Sequence, residues 1–400
     1  MHMARFGLTL KRVAAGSLLS AGAFWVGLVG ATSAVSAASE TVEATEISEA
    51  SEVAKAPAYQ IEVIETEVDY PWGLAFLPDG SLLVTQLNGQ LRLIKDGVLV
   101  EEPIAGVPEV FFESQGGLFD VVLHPDFADN QLLYLSFAAG TPEANGTRVV
   151  RGRFDGTALQ DVELIFDIER KKDTPVHYGG RMAFDQDNHL FLTLGDGFDY
   201  REEAQNLSNL LGAIVRLDDD GSVPADNPFV RDDSKNPMTW SYGHRSPQGL
   251  LVAENGQVFM HEHGPQGGDE INLIEPGKNY GWPIATYGID YSGAAISPYQ
   301  EYEGTVQPLK YWVPSIAPSG FALYEASLFP EWRGDFFVGG LVPGDLRRID
   351  MEDGKVIGEE VLLSEVGERV RDVRVAPDGS LYVLTDGEDG RILRLVPATE

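Results

Sequence analysis

A short pattern recurs along this chain, and it leaves few folds open. A-F-L-P-D-G-S-L-L-V-T (75–85) is nearly repeated by V-A-P-D-G-S-L-Y-V-L-T (375–385), with weaker copies A-F-D-Q-D-N-H-L-F-L-T (183–193) and L-V-A-E-N-G-Q-V-F-M-H (251–261) between them. Each copy is a strand, a turn containing Gly or Asn, and a second strand with alternating apolar residues, which is the signature of a β-hairpin. The gaps hold further strand-like runs, such as Leu132 to Phe137 and Asp335 to Gly339. Units of about four strands wrapped around an axis leave only short, protected sheet edges. The expectation is therefore an all-β fold: a six-bladed β-propeller with four-stranded antiparallel blades over residues 59–397, functional loops on one face, and a β-sandwich pair as the alternative. The 44 Gly and 23 Pro among 400 residues suit many tight turns, and the length does not force a second domain. Two inserts, 199–240 and 277–311, exceed ordinary hairpin loops and are where binding residues should concentrate.

The N-terminus reads differently. Arg5, Lys11 and Arg12 precede an uncharged apolar run from Val13 to Ala31, and Val35-Ser36-Ala37 offers small residues for cleavage. Residues 1–37 thus read as a signal peptide, with an uncleaved anchor as the alternative. The Ala/Ser/Glu-rich stretch 38–58 reads as a disordered spacer. The expected location is periplasmic or secreted, without stable membrane insertion once the signal is removed. Sixty-two acids against 29 bases give a formal charge of −33, which opposes binding to nucleic acid or anionic lipid. The absence of Cys excludes disulfides, thiolate catalysis and Cys-ligated metals.

Chemistry concentrates between His177 and Asp196. A histidine in a Gly-rich loop, a strand (Leu190, Leu192, Leu194) and a terminal aspartate place a base and its orienting carboxylate at two ends of one hairpin. By itself, such a His is also an ordinary turn residue, and an Asp after Gly an ordinary turn cap. Four more segments carry polar groups that strands do not need: S-Q-G-G-L-F-D (114–120), Y-G-H-R-S-P-Q-G-L (242–250), H-E-H-G-P-Q-G-G-D-E (261–270) with G-K-N-Y-G-W-P (277–283), and R-V-R-D-V (369–373). Together with the His177 segment, and in this order, they resemble the glucose/sorbosone dehydrogenase family, soluble aldose dehydrogenases that use pyrroloquinoline quinone (PQQ).

The resemblance implies PQQ and Ca²⁺ as cofactors, held on the propeller axis, and oxidation of the anomeric carbon of an aldose to the lactone. It makes His177 the base, Asp196 its orienting acid, and Gln115 an amide at sugar and quinone. Arg245 becomes the cation at the reactive quinone carbonyl. Arg369 and Arg371, two apart on a strand, would meet the PQQ carboxylates, with Ser246, His263 and Ser315 completing the cofactor-binding set. Carbonyls of Gly264 and Pro265 would bind the Ca²⁺ at the quinone, while Glu270, the carbonyl of Tyr280 and Asp290 would bind a structural Ca²⁺. The implied partners are a small-molecule aldose and a separate electron acceptor; pairing into a homodimer stays open.

Two departures from the family pattern stand out. Ser246 replaces the usual Asn of G-H-R-N-P-Q-G, and Val342 stands near a position where relatives carry a lysine toward the quinone, a loss that Arg347 or Arg348 could offset. Losing such a charge-assisted bond costs about 1.5 to 3 kcal/mol. Competing functions are a Ca²⁺-dependent propeller hydrolase of the lactonase kind, which needs several acids converging on the axis, and a non-catalytic sugar-binding propeller.

Overall fold

Short strands with alternating apolar residues need a second surface to bury their inner faces, and a ring of sheets packed side by side supplies it. The computed structural model describes residues 59–398; the signal segment and spacer read from the sequence lie outside the described residues. The described residues form six four-stranded antiparallel sheets. Their first strands are Pro71–Phe76, Leu118–Leu123, Gly179–Phe184, Pro247–Val252, Pro318–Leu323 and Val370–Val375, in blades 1 to 6. These first strands touch one another in cyclic order, so they line a common axis. The ring closes in blade 6, where Tyr59–Val68 pairs antiparallel with Gly390–Pro397. The expected six-bladed propeller is the fold.

The recurring pattern is the inner hairpin of blades 1, 3, 4 and 6. Blades 2 and 5 lack it because their first two strands are joined by longer connections. A helical turn, Phe127–Asn130, fills one, and a 3-10 turn, Pro330–Trp332, fills the other, where Trp332 stacks on Phe329 at 3.9 Å. The core lies between blades: Leu83 and Leu91 of blade 1 pack with Leu118, Leu133 and Leu135 of blade 2, all fully buried. Truncating one of them to Ala is expected to cost about 2 to 5 kcal/mol.

Polar bonds tie the blades near the axis. The Thr85 hydroxyl donates to the Phe119 carbonyl, that of Ser136 to Gly180, and that of Ser319 to Arg371, each reaching the next blade. On the axis, Arg181 lies 3.6 Å from Asp120 and 3.2 Å from Asp372, while Arg374 meets both acids at 2.9 Å. Arg181 also lies over the Trp72 ring at 3.9 Å and donates to the carbonyls of Trp72, Gln248 and Arg371. Four other blades therefore meet on the guanidinium of this blade-3 residue.

Candidate active site

His177 sits immediately before the bulged start of blade 3, where Gly179 and Gly180 both take positive φ (75° and 99°) and the pairing with Leu190–Leu194 shifts register. A Cβ at Gly180 would lie 2.6 Å from the Phe119 ring, so glycine is required there. The loop turns the imidazole back toward the end of the hairpin. His177 Nδ1 lies 2.7 Å from Asp196 Oδ1, and both side chains are buried. Asp196 is itself fixed: Oδ1 also accepts the Phe198 N–H at 2.8 Å, and Oδ2 accepts the Trp282 indole N–H at 2.7 Å. With Nδ1–H donated to the carboxylate, Nε2 is the basic nitrogen. Burial lowers the His177 pKa below the usual imidazole value; Asp196 opposes the shift, and Arg245 and Lys172 add to it. The ring is therefore neutral at pH 7, as a base must be.

Gln115 Oε1 accepts the His177 backbone N–H at 2.8 Å, and Gln115 borders a cavity of about 350 Å³ at the axis. Aromatic rings wall it (Tyr70, Trp72, Phe119 and Tyr178), and His263, Arg369 and Arg371 also border it. This matches a flat aromatic anion: rings to stack on, guanidinium groups for carboxylates. One acid modifies the match. Asp386 accepts from Arg369 Nε at 2.8 Å and from Arg371 Nε and Nη2 at 3.1 Å. Burial alone would raise the Asp386 pKa, but Arg371 and Arg369 bring it below the ordinary carboxylate value. The pair thus offers one net positive charge rather than two.

Arg245 is held from both ends. Its backbone N–H donates to Glu262, its carbonyl accepts the Asp196 N–H at 2.8 Å, and Nη1 donates to the carbonyls of His263 (3.1 Å) and Gly264 (2.6 Å). The base and the fixed cation are thereby locked to each other through the backbone.

The other residues implied by the resemblance fall into two groups. His263 borders the cavity, with Nε2 2.9 Å from the Pro318 carbonyl. Ser246 and Ser315 stand behind it: Ser246 Oγ accepts from Gln248 Nε2 at 3.3 Å, and Ser315 Oγ donates to Asp269 Oδ2 at 2.6 Å. Val342 points outward, 68 % exposed, while its neighbour Leu341 borders the cavity. Arg347 pairs with Asp345 and Glu359, and Arg348 with Asp335 and Glu360, all at 2.8 to 2.9 Å. Neither borders the cavity, so neither replaces the missing lysine.

For calcium the two implied positions differ. Glu270 faces Glu262 directly across two strands, and burial followed by Glu262 pushes its carboxyl up to about 8. Both acids border a cavity of about 20 Å³ with Gly264, Tyr280 and Thr286. A buried acid pair of this kind fits a hard cation. Asp290, by contrast, lines a different cavity beside Arg245 and Trp282, and accepts from Ser292. The Gly264 carbonyl is already engaged by Arg245, so an ion there would set cation beside cation. Among the described residues no cluster of three His, Asp or Glu side chains has metal-binding geometry.

Several contributors gain a role only from the fold. Trp282 and Asp269 lie within the 277–283 and 261–270 motifs, but only the structure shows that Trp282 holds Asp196 and that Asp269 accepts from Ser315, Ile316, Ala317 and Gly264 at once, while Asp386 lies outside every motif. Lys172, 3 % exposed, donates to Asn145 Oδ1 at 3.1 Å and to the Thr174 carbonyl, and lies 3.4 Å from the centre of the Tyr178 ring. Burial lowers its pKa to about 7.

Comparison with known proteins completes this picture. The sequence profile of the glucose/sorbosone dehydrogenase family matches residues 68–394. The chain belongs to the glucose/sorbosone dehydrogenase family. Its relatives include the aldose sugar dehydrogenase YliI of Escherichia coli K12, 43 % identical over 351 residues, covering 86 % of this chain and 94 % of that one. Among solved structures, a glucose dehydrogenase is 45 % identical with a TM-score of 0.82, over 85 % of this chain and 100 % of the other. The PQQ-bound aldose sugar dehydrogenase of Streptomyces coelicolor is 30 % identical with a TM-score of 0.69, over 85 % and 99 %. Family membership and propeller architecture thus agree. Among the described residues, no helix is long and apolar enough to cross a membrane.

Proposed function

We propose that this chain is a PQQ-dependent aldose dehydrogenase that oxidises the anomeric carbon of a sugar to the lactone, acting in the periplasm or outside the cell. The observation that carries the reading is the His177–Asp196 pair, joined through Gln115 to a cavity walled by aromatic rings and arginines and through the Asp196 N–H to the carbonyl of the fixed Arg245. The solved PQQ-bound relative supports the cofactor.

Bound PQQ supplies a two-electron quinone acceptor for hydride. Arg369 and Arg371 would hold its carboxylates, with Asp386 keeping both guanidinium groups in place. Trp72, Phe119 and Tyr178 would bracket its rings and exclude water. His177 Nε2 takes the proton of the anomeric hydroxyl, and the imidazolium that forms is stabilised by Asp196. Arg245 places a fixed positive charge where negative charge grows as the C–H bond breaks. Glu270, with Glu262 beside it and the Tyr280 carbonyl, would hold a structural Ca²⁺. A hydrolase would need free axial carboxylates, and Asp120 and Asp372 are both paired with Arg181 and Arg374.

The test is reconstitution of the purified full chain with PQQ and Ca²⁺, followed by dye reduction with glucose and other aldoses. PQQ-dependent turnover that disappears in His177→Ala is the expected result. No turnover with any aldose, together with no spectral change of PQQ on mixing, overturns the proposal.

A further inference from the structure

Beside the axial cavity lies a wider groove of about 710 Å³ that shares three of its walls, Tyr70, Leu87 and Ser114. The turns around it are tied together: the Tyr70 N–H donates to the Gly387 carbonyl at 2.8 Å, and the Leu87 N–H to the Tyr70 carbonyl at 3.0 Å. None of His177, Asp196 and Arg245 borders the groove, so it reaches the cavity away from the base. Its charge is also opposite. The cavity carries Arg369 and Arg371, whereas the groove is bordered by Asp69, Glu113 and Glu388 and, among the described residues, by no Lys or Arg. Phe112 borders it too, 54 % exposed, while its neighbour Phe111 packs with Trp72, Phe119 and Tyr178. One ring of the pair thus serves the core and the other is left in water.

The reaction gives this surface a use. Forming the lactone removes two electrons and two protons from the aldose, and both electrons must leave the cavity before the next turnover. A protein carrier that accepts one electron at a time satisfies this: two carriers are reduced per lactone, and the two protons pass to water. Such encounters are brief, rest on small interfaces, and are steered by opposite charge. An aromatic contact within a charged rim is the layout they need, and a formal charge of −33 draws a basic partner from a distance. The same charge repels a second copy of this chain.

We propose that this groove, with Phe112 as its apolar contact and Asp69, Glu113 and Glu388 as its rim, is the docking surface for a small basic one-electron carrier protein. Its use in turnover rests on the dehydrogenase reading, but docking itself is separable. The probe is the basic protein ferricytochrome c, reduced by the PQQ-loaded full chain with glucose, beside an uncharged soluble quinone as the second acceptor. The kcat/KM for cytochrome should fall about tenfold from about 10 to about 200 mM salt, as screening removes the steering. At low salt Glu113→Lys and Phe112→Ala should each lower it about tenfold, with quinone turnover and KM for glucose unchanged. Asp161→Lys, the same charge reversal on the outermost strand of blade 2, should leave the cytochrome rate within about twofold. A rate indifferent to salt, equal losses in Glu113→Lys and Asp161→Lys, or a matching loss with the quinone overturns the docking surface. Failure of quinone reduction in the unmodified protein would instead refute the dehydrogenase reading. Broadening of the cytochrome's haem methyl NMR signals by the full chain then decides docking alone: loss in Glu113→Lys but not in Asp161→Lys supports it, and no broadening by the unmodified chain overturns it.

Discussion

The carboxylate of Asp196 is shared between His177 and Trp282: Oδ1 lies 2.7 Å from the imidazole Nδ1, and Oδ2 accepts the indole N–H at 2.7 Å. Asp196 thereby fixes the tautomer of the base, and Trp282 fixes the angle of the carboxylate that orients it. Removing either contact leaves a buried polar group short of a partner, and the consequences can be measured.

Asp196→Asn can donate where the carboxylate accepts, and so favours the wrong imidazole tautomer. The kcat for aldose oxidation should fall by about a hundredfold or more, with KM changed far less. Trp282→Phe removes a bond to a charged acceptor, worth about 1.5 to 3 kcal/mol at most, and should give a smaller fall. Steady-state dye reduction checks both.

Because burial depresses the His177 pKa, the neutral base persists from pH 7 down to a value below about 6.5. The acid limb of kcat/KM should lie below that value, with activity lost as pH falls through it. The same depression means that the unfolded chain takes up the proton first, so the stability from this group is lost as pH falls from about 6.5 downward. Thermal melts against pH alongside rate profiles test the two signs together.

Lys172 lowers the His177 pKa through its charge. Lys172→Met keeps the length and removes the charge, so the acid limb should move toward higher pH. Above the limb, kcat should stay within a fewfold of the parent. An unmoved limb would show that the buried ammonium is electrostatically silent at the base.

Arg371→Ala should weaken PQQ binding by about ten- to a hundredfold, the loss of one charge-assisted contact. Asp386→Asn should strengthen it at low salt, because one more unit of positive charge then faces the cofactor. Titration of PQQ absorbance into the apoprotein at two ionic strengths separates these effects.

Chelation should lower the melting temperature if an ion neutralises Glu270 and Glu262 across their strands. Glu270→Gln removes the buried carboxyl whose pKa burial and Glu262 push up to about 8, and so the cost of forcing it to take up a proton near neutral pH; it should abolish the Ca²⁺ dependence of melting while raising the melting temperature measured in chelator. Calorimetry with and without millimolar Ca²⁺ reads both.

The architecture was legible because hairpin turns and alternating strands are local: the pattern at 75–85 and 375–385 needs only its own residues to form, and it marks the first and last inner hairpins of the ring. Blades 2 and 5 escaped the repeat because a helical turn and the Phe329–Trp332 stack replace the short turn. His177 and Asp196 were legible for the same reason, since one hairpin carries both. Tertiary structure alone decided the partners brought by other blades and loops. Asp386 halves the charge of the arginine pair, Trp282 braces Asp196 from 86 residues away, Arg245 takes the Gly264 carbonyl, and Tyr291 of the second insert stacks on Phe198, just before the first. Such contacts depend on where the ring places loop ends in space, and short-range patterning carries no record of that distance.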